Sequence, residues 1–237
     1  MTAPVARALA FDVFGTIVDW RSSIAREAEA AAARHGANVD GGVFADAWRR
    51  RYRPSMDRVL RGEVEWTPLE RLNRASLDEV LAEFALEVLD ERERDELNRA
   101  WRRLQPWPDS VAGLTRLRRQ YVLCTLSNGG IALPVDLARF GGLPFDAILS
   151  TELCRTYKPD PRTYHMVASL LDLRPEQVMM VAAHTSDLRA AAAEGLRTAY
   201  VRRPREWGPG PSPEPAQDAS FDVAADDLRD LARQLGA

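Results

Sequence analysis

The spacing of apolar and polar positions changes character twice along this chain. Ala8-Leu9-Ala10-Phe11-Asp12-Val13-Phe14 is a short apolar run closed by Gly15-Thr16, which predicts a buried strand ending in a tight turn. From about residue 22 to 104 the apolar positions take up helical spacing. The pattern predicts helices over 24–35, 42–60, 68–86 and 91–104, with Gly or Pro near the junctions and no comparable strand among them. After Pro106-Trp107-Pro108-Asp109 strands and helices alternate. Helices are expected over 111–119, 161–171 and 188–194, and strands over 121–126, 147–150, 178–183 and 198–201. The Pro- and Gly-rich stretch 204–215 reads as an irregular surface loop, and 224–235 as a closing helix.

Strand-helix alternation of this kind predicts an α/β fold with a parallel sheet covered by helices. The helical stretch sits directly after the first strand. The expected division is therefore a core of residues 1–20 and 105–237, with a helical cap of residues 21–104 inserted into it.

Composition narrows the function. The chain has 237 residues, 46% of them apolar and 28% charged, which is ordinary for a globular protein. A net charge of −3 gives no electrostatic case for nucleic acid, since acidic residues balance the local run Trp48-Arg49-Arg50-Arg51. No 18-residue apolar stretch is present, and Asp12 interrupts the apolar segment near the start. The expectation is no membrane span, no secretion signal and a cytoplasmic location. Cys124 and Cys154 are expected as buried free thiols, with no CxxC or His/Cys spacing to hold zinc. Of 32 basic residues only one, Lys158 in Tyr157-Lys158-Pro159-Asp160, is a lysine. A compact ammonium and a broad planar guanidinium are not interchangeable in a cramped site.

Ligands of open parallel sheets bind beyond the carboxyl ends of the strands. Four polar clusters fall there: Asp12 with Thr16, Ser127 with Asn128, Lys158, and His184 to Asp187. In order, Asp12-Val13-Phe14-Gly15-Thr16, Ser127-Asn128-Gly129, Lys158-Pro159-Asp160 and Asp187 resemble the motifs of the haloacid dehalogenase superfamily over almost the whole chain. The resemblance implies a Rossmann-like core plus a helical cap, with the active site between them.

Most members of that superfamily are phosphatases, so the chemistry turns on departures. Phosphoryl transfer needs a second carboxylate two residues after the nucleophile, and further carboxylates at the fourth motif to hold magnesium. Here Phe14 stands at the first place. A phosphatase-like Gly-Asp-Ser-x-x-Asp motif aligned on Asp187 puts Ala183 where its first Asp would be. The Asp-aromatic-Gly-Thr start and Trp48-Arg49 instead resemble type II L-2-haloacid dehalogenases, which implies no cofactor and no metal.

Carried over position by position, Asp12 would be the nucleophile, displacing halide from C2 with inversion. Thr16, Ser127 and Asn128 would bind and orient the substrate carboxylate and the Asp12 side chain, and Lys158 would keep Asp12 ionised and aimed. Arg49 would receive the halide, and Asp187 would position the water that attacks the Asp12 ester. Tyr164 matches a further active-site position, with Val13, Phe14 and Trp66 as apolar contacts to substrate. The chain departs from the best-known dehalogenases at Ala182-Ala183-His184, where those carry a Ser-Ser-Asn type loop. His184 is therefore a candidate donor to the leaving halide, fluoride included; a neutral histidine bonded to backbone is the other reading. The implied partner is a small 2-haloacid. Homodimers are common in the resembled family, and Trp101 is expected to be exposed on the helical segment. Hydrolysis of another small carboxylate, such as azetidine-2-carboxylate, through the same ester, and a catalytically idle binding protein, stay open as rivals.

Overall fold

The computed structural model describes residues 6–210 and 220–237. Strand β1 (Ala8–Phe11) is buried at every position, as a fully covered parallel strand requires. Its chain turns through Gly15 into a two-residue strand, β2 (Val18–Asp19), and then into four helices: α1 (Trp20–Arg34), α2 (Gly41–Leu60), α3 (Leu69–Glu83) and α4 (Glu91–Asn98). Asp19, Asp40 and Asp90 cap α1, α2 and α4 by accepting the backbone N–H of Ser22, Val43 and Glu93. That satisfies donors each helix would otherwise leave bare. A 3₁₀ turn over Arg99–Arg102 leads to β3 (Gln105–Pro106), which pairs antiparallel with β2. The helical stretch thus begins and ends on one short ribbon.

Beyond it come α5 (Ser110–Leu117), β4 (Val122–Thr125), α6 (Ala132–Gly141), α7 (Pro161–Leu170), β5 (Val178–Ala182), α8 (Thr185–Ala193), β6 (Arg197–Val201), β7 (Val223–Ala225) and α9 (Leu228–Gln234). The sheet order is β4-β1-β5-β6-β7, all parallel, with β1 between the two strands whose ends carry Ser127-Asn128 and His184. No helix among the described residues is long and apolar enough to cross a membrane.

Several expectations are corrected. The stretch 147–150 forms only isolated bridges, from Ala147 to Cys124 and from Ser150 to Ser127, because it borders β4 without a continuous ladder. Helix α6, masked in the sequence by Gly129-Gly130, is additional. The start of the expected closing helix is strand β7, and Asp227 caps a helix that begins only at Leu228. Trp101 is buried, not exposed. Its ring packs against Phe14 at 5.5 Å and Trp48 at 5.4 Å, and stacks on Trp20 at 6.4 Å. Cys124 is a buried free thiol, whose pKa burial pushes up to about 12, while Cys154 is only partly buried. Part of the expected loop 204–215 is also packed inward: Glu206 is 3% exposed. Residues 211–215 of that loop lie outside the described residues.

Candidate active site

Asp12 follows β1 at the carboxyl edge of the sheet, fixed there by its own N–H on the Val181 carbonyl at 3.0 Å. Its side chain borders a cavity of about 560 Å³, lined also by Phe14, Arg49, Tyr52, Asn128, Lys158, Tyr164, His184 and Asp187. That size suits a small organic ligand. Gly15 makes the turn behind Asp12 with φ +82°, and a Cβ there would lie 2.1 Å from Glu206 Oε1. Only glycine meets both conditions without strain.

Lys158 reaches Asp12 from the loop that precedes α7. Its backbone N–H donates to Asn128 Oδ1 at 2.9 Å, and Nζ donates to Asp12 Oδ1 at 2.8 Å and to Asp187 Oδ2 at 2.5 Å. Tyr164 OH donates to Asp187 Oδ1 at 2.7 Å. Burial alone would raise the Asp12 pKa. The Lys158 ammonium and then His184 override it, and hold the carboxyl far below its usual range. Burial would likewise lower Lys158, but Asp12 and Asp187 keep it well above an ordinary lysine. Tyr164 is pushed up by burial and by Asp187, so its phenol stays a proton donor.

Thr16 sits behind the carboxylate. Its hydroxyl donates to Asp12 Oδ2 at 2.8 Å and accepts the Ala183 N–H at 2.9 Å. His184, at the start of α8, places Nδ1 3.2 Å from Asp12 Oδ2 and Nε2 2.9 Å from Glu206 Oε1. Burial would discharge the ring, but Glu206 and Asp12 hold its pKa well above 6.5. Both ring nitrogens face carboxylates and, among the described residues, neither bonds to backbone, an arrangement that favours the charged imidazolium.

Arg49 enters from α2. Its guanidinium lies over the Tyr52 ring at 4.0 Å from the centroid and the Trp20 ring at 5.2 Å, which fixes the plane by cation–π contact. Its Nη1 is buried and finds no hydrogen-bond partner among the described residues. Its neighbour Arg51 turns away to Glu79 and Glu83, while Arg50 and Arg53 stand at the cavity rim.

Four sequence candidates do not border the cavity, one of them Thr16, which sits behind the Asp12 carboxylate. Trp66 packs on Tyr157, with centroids 4.9 Å apart, because the loop after α2 carries it against that ring. Val13 belongs to the core, and Ser127 Oγ accepts the Gly129 N–H at 3.0 Å, so it shapes the turn. Residues the sequence reading missed are Tyr52, Met56, Trp207 and above all Glu206. An acid beside a tryptophan in a Pro/Gly stretch was the available signal. Arg203 anchors that stretch: Nε donates to the Thr16 carbonyl at 2.9 Å, and both terminal nitrogens donate to Asp109 at 2.8 Å.

The model of the haloacid dehalogenase-like hydrolase family matches residues 6–195. The chain belongs to that family. It is similar to (S)-2-haloacid dehalogenase 1 of Pseudomonas sp. (strain CBS-3), at 31% identity over 86% of this chain and 89% of that one. It is also similar to (S)-2-haloacid dehalogenase 4A of Burkholderia cepacia, at 29% identity over 83% of each. Among solved structures, a defluorinating L-2-haloacid dehalogenase superposes with a TM-score of 0.95 at 48% identity, covering 98% of this chain and 96% of that one. A second L-2-haloacid dehalogenase gives 0.91 at 46% identity, covering 97% and 99%. As a member of this family the chain has the haloacid dehalogenase α/β fold, a parallel sheet flanked by helices.

Proposed function

We propose that this protein is a hydrolytic dehalogenase that converts (S)-2-haloacids to (R)-2-hydroxyacids through an ester on Asp12. The observation that carries the reading is the state of Asp12: a buried carboxylate, held ionised and aimed by Lys158, bordering a cavity that Arg49 also lines, its buried Nη1 without a hydrogen-bond partner among the described residues. A carboxylate in water is a poor nucleophile; one that is desolvated and fixed gains from orientation, for which about 7–11 kcal/mol is available in well-aligned cases.

In this reading Asp12 attacks C2 in line, and the electron pair of the carbon–halogen bond leaves with the halide toward Arg49. Asn128 helps to hold the substrate carboxylate. Phe14 supplies an apolar wall, and Arg49 comes down from a cap formed by residues 21–104. Asp187, held by Lys158 and Tyr164, takes a proton from the water that opens the ester. Thr16 and Lys158 fix the Asp12 carboxylate throughout. A metal-dependent phosphoryl transfer would require donors that Phe14 and Ala183 do not supply. The same reading places the enzyme in the cytoplasm, acting on a free small molecule.

The test is halide release from L-2-chloropropionate in the presence of a chelator, set beside p-nitrophenyl phosphate with magnesium. Chloride is expected from the first and negligible phosphate from the second. A single turnover in heavy-oxygen water should place label in the Asp12 side chain. Label found only in the product would refute the ester.

A further inference from the structure

The two oxygens of Asp12 are not equivalent. An ionised carboxylate offers about four lone-pair sites, two on each oxygen. Oδ2 receives both the Thr16 hydroxyl and His184 Nδ1, whereas among the described residues Oδ1 receives only Lys158 Nζ. The free lone pair is therefore on Oδ1, which makes that atom the attacker and leaves Oδ2 as the carbonyl oxygen of the ester.

The two donors on Oδ2 have no alternative use. Thr16 Oγ1 accepts from Ala183 N–H, so its single proton is committed to Asp12. Both nitrogens of His184 face carboxylate oxygens, which can only accept. Glu206 is itself fixed, since Oε1 also accepts Trp20 Nε1–H at 3.1 Å. The charged groups directly on the ring are Asp12 and Glu206, with Arg49 acting on Glu206 and Lys158 on Asp12.

Alkylation changes this balance. When Oδ1 bonds to C2 and halide departs, Asp12 becomes a neutral ester. Of the two carboxylates that favour a protonated His184, only Glu206 is then left. We propose, building on the ester reading above, that Thr16 and the His184 imidazolium form the oxyanion site for hydrolysis of the Asp12 ester, and that Glu206 is the positioning residue that keeps the imidazolium charged for that step.

The step balances as follows. Water adds to Cγ and gives one proton to Asp187, while the carbonyl electron pair moves onto Oδ2, where Thr16 and His184 meet the charge. Collapse restores the carbonyl and breaks the Cγ–Oδ1 bond. The departing alkoxide takes the proton from Asp187 and leaves as the hydroxyacid. The regenerated acid group releases its remaining proton to solvent. His184 neither gains nor loses a proton and makes no contact with the halide. Removing it leaves the attacking Oδ1 and its Lys158 contact in place, and Lys158, the largest influence lowering the Asp12 pKa, still keeps the nucleophile ionised.

The experiment is a rapid-quench turnover of L-2-chloropropionate by the full chain and by Glu206→Gln and His184→Asn. Chloride is followed together with the intact protein mass. The expected result in both variants is a chloride burst of one per site, then hydrolysis slowed on the order of 10²-fold, with the ester-bearing protein as the dominant mass. In Glu206→Gln, hydrolysis should also fall with rising pH as the imidazole discharges, a fall absent from the wild type. Glu206→Asp should restore the flat profile.

If neither variant accumulates ester while the wild type forms it, the inference is overturned. A burst slowed as much as hydrolysis would equally overturn it, and would assign His184 to the halide. A wild type that forms no ester in its own turnover would instead refute the reading on which this rests. Should Glu206→Gln not fold, the same two-phase measurement on His184→Gln and His184→Asn decides.

Discussion

Lys158→Met removes the sole positive charge held between Asp12 and Asp187, and the consequence can be estimated from the geometry. Nζ lies 2.8 Å and 2.5 Å from one oxygen of each carboxylate. At an effective dielectric of 20, unit charges about 4 Å apart interact by about 4 kcal/mol. Without the ammonium, Asp12 loses the partner that does most to keep it ionised and the one donor that aims Oδ1, and retains only Thr16 and His184 on Oδ2. At 1.36 kcal/mol per decade, about 4 kcal/mol corresponds to a fall in kcat/KM of roughly 10³-fold. Breaking a buried pair also costs about 3–5 kcal/mol of stability.

The sign with pH follows from the direction of the shift. In the wild type the folded pKa of Asp12 lies below 3.8, so its contribution is present above that value and is lost as the pH falls through the folded one. In the variant the Asp12 carboxyl lacks the ammonium that does most to lower it. Its stability deficit should therefore be full at neutral pH and shrink toward acid. Chloride release at neutral pH, and thermal melting from about pH 7 down to about pH 2, which spans the fall below 3.8, measure both. Activity within tenfold of wild type, or a deficit that grows toward acid, would refute the reasoning. Lys158→Arg keeps the charge but brings a planar fork, and should rescue little.

Three further outcomes are expected. Arg49→Met preserves much of the packing on Tyr52 and Trp20 but removes the donor at the cavity; chloride release should fall about 10²–10³-fold with the melting temperature nearly unchanged. Arg203→Gln leaves Asp109 buried without its bidentate partner and should cost about 3–5 kcal/mol by denaturant titration at neutral pH. Because the Asp109 pKa is held below 3.8 when folded, that loss should narrow as the pH falls through this lowered value. Gly15→Ala meets Glu206 Oε1 and a φ of +82°, and should destabilise by more than about 1 kcal/mol while slowing turnover; an unchanged melt would count against the close approach described.

What the sequence made legible was whatever short-range chemistry specifies. Asp12, Lys158 and Asp187 announced themselves by residue type at strand ends, and the helices by spacing and caps. What it hid depends on contacts between distant segments. Glu206 lies in a Pro/Gly stretch that composition places at the surface, and only Arg203 reaching back to Thr16 and Asp109 explains its burial. Trp101 looks like an exposed aromatic until Trp20, Trp48 and Phe14 close around it. Trp66 shares the apolar character of a pocket wall, yet its loop delivers it to Tyr157. Strand β7, at three residues, is set by its ladder with β6 and carries no periodic signal of its own.

The short ribbon of β2 and β3 has a consequence for how the fold can vary. Because the chain departs at Asp19 and returns at Gln105, directly paired, everything between is a closed excursion from two touching points. The entropy of closing such a loop grows only with the logarithm of its length, about 0.6 kcal/mol for each doubling. The sheet is therefore nearly indifferent to how much chain hangs from that junction. A single added residue in either ribbon strand, by contrast, would reverse which way its side chains point and re-aim the entire excursion. Length is cheap at this position; register is not.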